Sequence, residues 1–181
     1  MIYVALLRGI NVGGKNKVDM KKLKETFIRA GMQSVVTYIN SGNVIFMNNK
    51  YSKAEISDIL ERAIFEEFNL EIKVLIRSMD DFEEMMSILP ESWINDSNMK
   101  ADILFLWDEI ASDAACSQLV IKPNIDTVLF FAGGLMWTVD RENVSRSGSM
   151  KLVGTALYKK MTIRNVNTAR KIYEIMKELN K

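Results

Sequence analysis

Val35-Val-Thr-Tyr-Ile-Asn-Ser-Gly-Asn-Val-Ile-Phe-Met47 reads as two apolar strands folded back on one another. Val35 to Ile39 and Val44 to Met47 are rich in β-branched and aromatic residues. Between them Asn40-Ser41-Gly42-Asn43 offers Gly and Asn, which tolerate the positive φ of a tight reversal. Strands joined by so short a turn run antiparallel. The stretch therefore breaks the parallel βαβ succession on which doubly wound nucleotide-binding folds depend.

Upstream, Ile2 to Leu7 reads as a strand, and a helix is expected from Asp19 with Met20, Leu23, Phe27 and Ala30 on one face and Gly31 as its stop. Downstream, Ser52-Lys-Ala-Glu55 is a capping box for a helix whose stripe is Ile56, Ile59, Leu60, Ala63 and Ile64. Next come a strand at Ile72 to Ile76 and a helix from Ser78 that turns Phe82, Met85, Met86 and Leu89 inward and stops at Pro90. The same order recurs. A strand at Ile103 to Trp107 precedes a helix over Glu109 to Leu119, and strands at Val128 to Phe131 and Leu135 to Val139 flank Ala132-Gly133-Gly134. A helix then begins near Ser149 with Leu152, Val153, Ala156 and Leu157 on one face, followed by a strand at Met161 to Ile163 and a helix from about Thr168. Leu75-Ile-Arg77 and Thr162-Ile-Arg164 lead into the two closing helices as local echoes. The expected fold is α+β, a duplication of two ferredoxin-like βαββαβ halves, each followed by a helix, covering residues 1–92 and 93–181.

That order has a geometric consequence. The crossover makes the first two strands of each half parallel, so the loop after strand one and the turn after strand two emerge at one end of the sheet. Residues 8–17 and 40–43 are therefore expected to meet, as are the loop 140–148 and the turn 164–168 in the second half. The strands are nearly continuous in apolar residues, so both faces of each sheet are expected to be covered.

Arg8-Gly-Ile-Asn-Val-Gly-Gly-Lys-Asn-Lys17 is built to hold an anion: glycines let backbone N–H groups approach a ligand, and Arg8, Lys15 and Lys17 supply a positive field. Gly9 to Lys15 fits the first seven positions of a P-loop, but Asn16 stands where a magnesium-binding hydroxyl belongs, and the helix starts too late. The candidate ligand residues here are Arg8, Gly9, Asn11, Gly13, Gly14, Lys15 and Asn16, with Tyr38, Asn40, Ser41, Gly42 and Asn43 from the hairpin. A second polar cluster comprises Ser147, Lys151, Arg164, Asn165 and Asn167. Each has a structural alternative: Gly42 and Asn43 as turn formers, Tyr38 as core, Thr168 or Asn167 as a helix cap, Asn165 in backbone hydrogen bonds.

Composition narrows the chemistry. The 181 residues are 48% hydrophobic and carry no histidine, which removes Ser-His-Asp and Cys-His catalysis and imidazole metal ligands. No Asp-x-Asp-x-Asp-Gly loop exists, so no metal site is expected; no particular cofactor is implied. Cys116 is a single thiol in an Ala-Ala-Cys segment and reads as helix packing. No apolar run reaches the ~18 residues of a membrane span, and no signal-peptide pattern is present, so a cytoplasmic protein with no membrane partner is expected. The net charge of +1 conceals segregation: residues 8–29 and 141–181 are basic, and residues 80–113 are acidic.

Ala5-Leu-Leu-Arg-Gly-Ile-Asn-Val-Gly-Gly14, Thr37-Tyr-Ile-Asn-Ser-Gly-Asn-Val44, Ser149-Met-Lys-Leu152 and Thr162-Ile-Arg-Asn-Val-Asn-Thr168 together resemble an uncharacterised bacterial family, the domain of unknown function sixteen-ninety-seven. Met150 is an insertion relative to that pattern, and Val166 replaces its tryptophan. The resemblance spans essentially the whole chain and implies a compact α+β fold with duplicated halves, but no activity.

The leading expectation is a protein that binds an anionic, phosphate-bearing small molecule or nucleotide at the glycine-rich loop and adjacent hairpin. Nucleic acid is the less favoured partner, since no RNP-type run is present. The alternatives are a transferase or hydrolase working through Lys15, Lys151, Ser147 and Arg164 without histidine, and a dimerisation module, a homodimer using surplus apolar strand surface.

Overall fold

Apolar runs of five to eight residues, punctuated by Gly and Asn, fold here as strands joined by tight turns, and the amphipathic stretches between them fold as helices. The computed structural model describes residues 1–110 and 117–181. In chain order it contains β1 (Ile2–Leu7), α1 (Met20–Arg29), β2 (Gln33–Tyr38), β3 (Asn43–Met47), α2 (Lys53–Phe68), β4 (Val74–Ser78) and α3 (Met79–Ile88). There follow β5 (Met99–Leu106), β6 (Thr127–Phe131), β7 (Gly134–Asp140), β8 (Met161–Asn165) and α4 (Val166–Leu179). The fold is mixed α+β with two four-stranded sheets, ordered β2-β3-β1-β4 and β6-β7-β5-β8, in which every pairing is antiparallel. The chain forms two compact units, residues 1–82 with 172–181 and residues 83–171, so α3 and α4 each run across the division.

In the first unit, Tyr3, Ala5 and Leu7 alternate with Ile2, Val4 and Leu6 along β1. The first set packs with Leu23 and Phe27 of α1 and Ile56, Leu60 and Ile64 of α2 into one core, where Phe27 meets Phe46 edge to face at 5.9 Å. The second set faces the other way and is buried as well, as the uninterrupted apolar runs require. Asp19 caps α1 by accepting from Lys22 N at 2.8 Å, and Ser52 and Glu55 form the expected capping box. Met85 is fully buried, in keeping with core rather than groove.

In the second unit, Leu104, Leu106, Leu135, Trp137, Leu152, Leu157 and Met161 make a core on one sheet face, while Ala101, Ile103, Phe105 and Met136 are buried on the other. The helix expected over Glu109 to Leu119 falls largely outside the described residues, as does Cys116; its flanks, Asp108 to Ile110 and Ser117-Gln118, are turns. Two expectations need correction. From Gly148 the chain makes short 3-10 turns, Gly148–Lys151 and Tyr158–Lys160, in place of an α-helix. Gly154 sits between them at φ 88°, a left-handed position that no continuous right-handed helix accommodates, so Leu152 and Leu157 are buried while Val153 is 64% exposed. The last helix starts at Val166, two residues earlier than Thr168, because Asn165 is its cap: Asn165 Oδ1 accepts from Thr168 N at 2.9 Å.

Candidate functional site

Residues 8–17 fold as a hairpin in miniature. Gly13 and Gly14 at φ 59° and 75° form a tight turn with both central residues left-handed, closed by Lys15 N donating to Val12 O at 3.1 Å. Below it Asn11 N donates to Asn16 O at 3.1 Å, and Asn16 Nδ2 donates to Gly9 O at 3.0 Å. This is not P-loop geometry: Lys15 lies on the tip of the turn, ahead of the Asp19 cap, and does not start the helix. Among the described residues no group of the chain takes the amide hydrogens of Gly13 and Gly14, which lie on an exposed tip beside Lys15 and Lys17.

The loop and the first hairpin meet, as the strand order requires. Leu7 N donates to Gly42 O at 2.8 Å, and Asn11 Nδ2 donates to Asn40 O at 2.9 Å. Arg8 N donates to Lys73 O at 3.0 Å, so the start of β4 closes the other flank. Gly42, at φ 79°, is needed twice over: a Cβ there would stand 2.7 Å from Leu7 Cβ and 2.9 Å from Ile10 Cδ1. The same turn holds Ile39 at φ 49°, a left-handed conformation costly for a β-branched residue.

The asparagines of this cluster are engaged by the fold. Asn11 Nδ2 donates to Val18 O at 3.0 Å as well as to Asn40 O, and its Oδ1 accepts from Val18 N at 2.8 Å. Asn43 is fully buried and donates to Tyr38 O at 3.1 Å and Ser41 Oγ at 3.0 Å. Lys15, Lys17, Asn16 and Asn40 remain exposed, and Arg8, Tyr38 and Ser41 are half-buried around them.

The second cluster is divided. Ser147 is buried and donates its hydroxyl to Asp126 Oδ1, which also takes Trp137 Nε1 at 3.1 Å; Asp126 Oδ2 accepts the amides of Lys122 and Gly148, each at 2.8 Å. Burial on its own would raise the Asp126 carboxyl, but hydrogen bonds from Ser147, the Lys122 and Gly148 amides and Trp137 hold it below the usual carboxylate range. Ser149 Oγ lies 2.8 Å from Ser147 Oγ, and Lys151 is exposed. Arg164 belongs elsewhere. It pairs across the ladder with Ile103, on the sheet face opposite Trp137, and its Nη1 donates to Thr162 Oγ1 at 3.0 Å and Ile163 O at 2.8 Å. Burial lowers its pKa to about 10, which leaves it charged at neutral pH. The sheet thus separates Arg164 from Ser147 and Lys151.

Asn167 clips a loop to the first turn of α4: its Oδ1 accepts Asn95 N at 3.2 Å, and its Nδ2 donates to Asn95 O at 2.8 Å. Arg141 Nη2 reaches Asn95 Oδ1 at 3.1 Å, so the segments after β7 and β8 meet on Asn95. Sequence reasoning missed Asn95 and Asp126. The one signal for Asp126 was its place after the Pro123-Asn124 turn at the mouth of a strand.

The family described as "Protein of unknown function (DUF1697)" matches residues 1–137. Among solved structures, the conserved bacterial protein SP0830 from Streptococcus pneumoniae is similar at 33% identity and a TM-score of 0.82, with 97% of this chain and 98% of that one covered. No curated protein matches.

Proposed function

Because the chain belongs to the DUF1697 family, whose description assigns no activity, we propose a function from its own residues: it binds an anionic, phosphate-bearing small molecule where the loop 8–17 meets the turn 40–43. The observation that carries this reading is the junction itself. Asn11 fastens the loop to Asn40, and the fastened loop presents Lys15, Lys17 and the unclaimed amides of Gly13 and Gly14 on one exposed tip. Arg8 and Lys15 pair with the anion and the glycine amides cradle it, while Asn11, Asn43 and Gly42 hold the loop in shape. Neither catalysis nor a cofactor is needed for this role.

Thermal shift tests it with inorganic phosphate, nucleotides, sugar phosphates and short oligonucleotides, on the wild type and on Arg8→Ala with Lys15→Ala. A ligand at about 100 times its Kd adds about 2.7 kcal/mol, a measurable shift. Equal responses from the two proteins, or no response from the wild type, sink the proposal. A response confined to oligonucleotides that fades steeply with salt would turn it toward nucleic acid.

The enzymatic alternative has less support, since Lys15 and Lys151 are exposed and the Ser147 hydroxyl is committed to Asp126. We read residues 1–92 and 93–181 as repeats of one ferredoxin-like βαββαβ unit with a closing helix, the second having 3-10 turns where the first has α2; the shared strand order of the two sheets supports this. A single cysteine suits a reducing compartment, and on that ground we assign the protein to the cytoplasm. No helix among the described residues is long and apolar enough to cross a membrane.

A further inference from the structure

The second unit carries a cleft of about 300 Å³ that the loop site does not involve. Its floor is one face of β5, where every second residue gives Lys100, Asp102 and Leu104, a run from charged to apolar. Lys100 pairs across the ladder with Val139, Asp102 with Trp137 on one side and Asn165 on the other, and Leu104 with Ile163, so the floor is flanked by apolar side chains except at Asn165. Ser149, Met150 and Val153 from the 3-10 segment also line the cleft, with Met150 and Val153 53% and 64% exposed.

Asp102 is the feature that asks for a ligand. Its side chain is 20% exposed, and among the described residues its partner is Lys100, with Nζ 3.3 Å from Oδ2; no amide or hydroxyl donates to it. A carboxylate so placed, with one cation as its partner, has acceptor capacity left over. Burial pushes its pKa up, against the opposing effects of Lys100 and the more distant Arg141.

We propose that this cleft binds a small apolar α-amino acid as its zwitterion. The ligand ammonium donates to Asp102, the ligand carboxylate accepts from Lys100 Nζ, and the side chain lies against Ile163, Met150 and Val153, the accessible apolar lining. The pairing decides the class. A ligand with one charge would separate Lys100 from Asp102 and leave one of them unpaired, and a neutral ligand would leave Asp102 as it is; a zwitterion gives each ion a partner. The volume sits at the small end of the range for ligand pockets, which suits a single residue better than a peptide.

Calorimetric titration with L-leucine and L-phenylalanine tests the proposal, with phenethylamine, 3-phenylpropanoate and N-acetylphenylalanine amide as controls lacking one or both charges. One of the two amino acids should saturate the protein at one site per chain, and Asp102→Asn and Lys100→Gln should each weaken it about tenfold or more. Each control should bind at least about tenfold more weakly. Arg8→Ala with Lys15→Ala should bind it like the wild type, which separates this site from the loop. Absence of saturation by either amino acid at millimolar concentration overturns the proposal. So does a control that binds as tightly as phenylalanine, or undiminished binding by a folded Asp102→Asn. Should Asp102→Asn fail to fold by circular dichroism, Lys100→Gln and the controls on the wild type still decide.

Discussion

Asn11 donates both of its side-chain amide hydrogens, to Val18 O and Asn40 O, and accepts from Val18 N, so its removal unmakes three bonds at one junction. Asn11→Ala is expected to cost about 1–3 kcal/mol in urea unfolding, since it strands partly buried partners. Beside it, Ile39 at φ 49° is a β-branched residue in a conformation that asparagine tolerates, and Ile39→Asn should stabilise by about 1 kcal/mol in the same assay. Gly42→Ala should be far worse than Gly13→Ala: both positions are left-handed, but an added Cβ meets Leu7 Cβ at 2.7 Å at the first and open space at the second. Asp126 gives a pH signature. Its folded pKa lies below the unfolded value, so the stabilisation is complete above the unfolded pKa of about 4 and is lost as pH falls through the folded one. Asp126→Asn should remove that part of the acid limb of a stability–pH curve. Asn11 and Gly42 were legible in the sequence as loop and turn residues, Asp126 was not, and the partners of none of them were. The amide of Asn11 or Asn167 would serve a ligand or a backbone with the same chemistry, and Asp126 earns its place from Ser147 and Trp137, which lie 21 and 11 residues away in the chain.

At the scale of elements, strands and capped helices were readable wherever local signals agreed. Ser52 and Glu55 announced α2, and Asp19 announced α1, because a cap is a short-range device. The segment from Gly148 to Lys160 defeated the same reasoning. Leu152, Val153, Ala156 and Leu157 have helical spacing, yet Gly154 at φ 88° and the buried hub at Asp126 and Ser147 impose turns. Gly148 is drawn so close to Val120 that an added Cβ would stand 1.6 Å from Val120 O. The start of α4 was misread by two residues because Asn165, Asn167 and Thr168 are all good cap residues and only tertiary context chooses among them. Asn165→Ala should cost about 1 kcal/mol of stability, whereas Asn167→Ala should loosen residues 90–98 and speed amide exchange there.

At the scale of the molecule, the meeting of residues 8–17 with 40–43 followed from the common direction of the first two strands. What did not follow was the grouping of segments far apart in sequence. Residues 172–181 belong with residues 1–82, and Ile172 and Met176 are fully buried there. Each such side chain contributes about 1.5–3 kcal/mol by burial. A chain shortened after Lys171 should therefore lose stability chiefly in its first unit. Trp93, Trp107 and Trp137 all lie in the second, so in the shortened chain the loss of far-ultraviolet circular dichroism should begin at lower urea than the change in tryptophan fluorescence. The same grouping sets a schedule for synthesis. A ribosome releases β1 to β4 early, but residues 172–181, which complete their packing, leave the exit tunnel only after residues 83–171, so the unit translated first is finished after the one translated second.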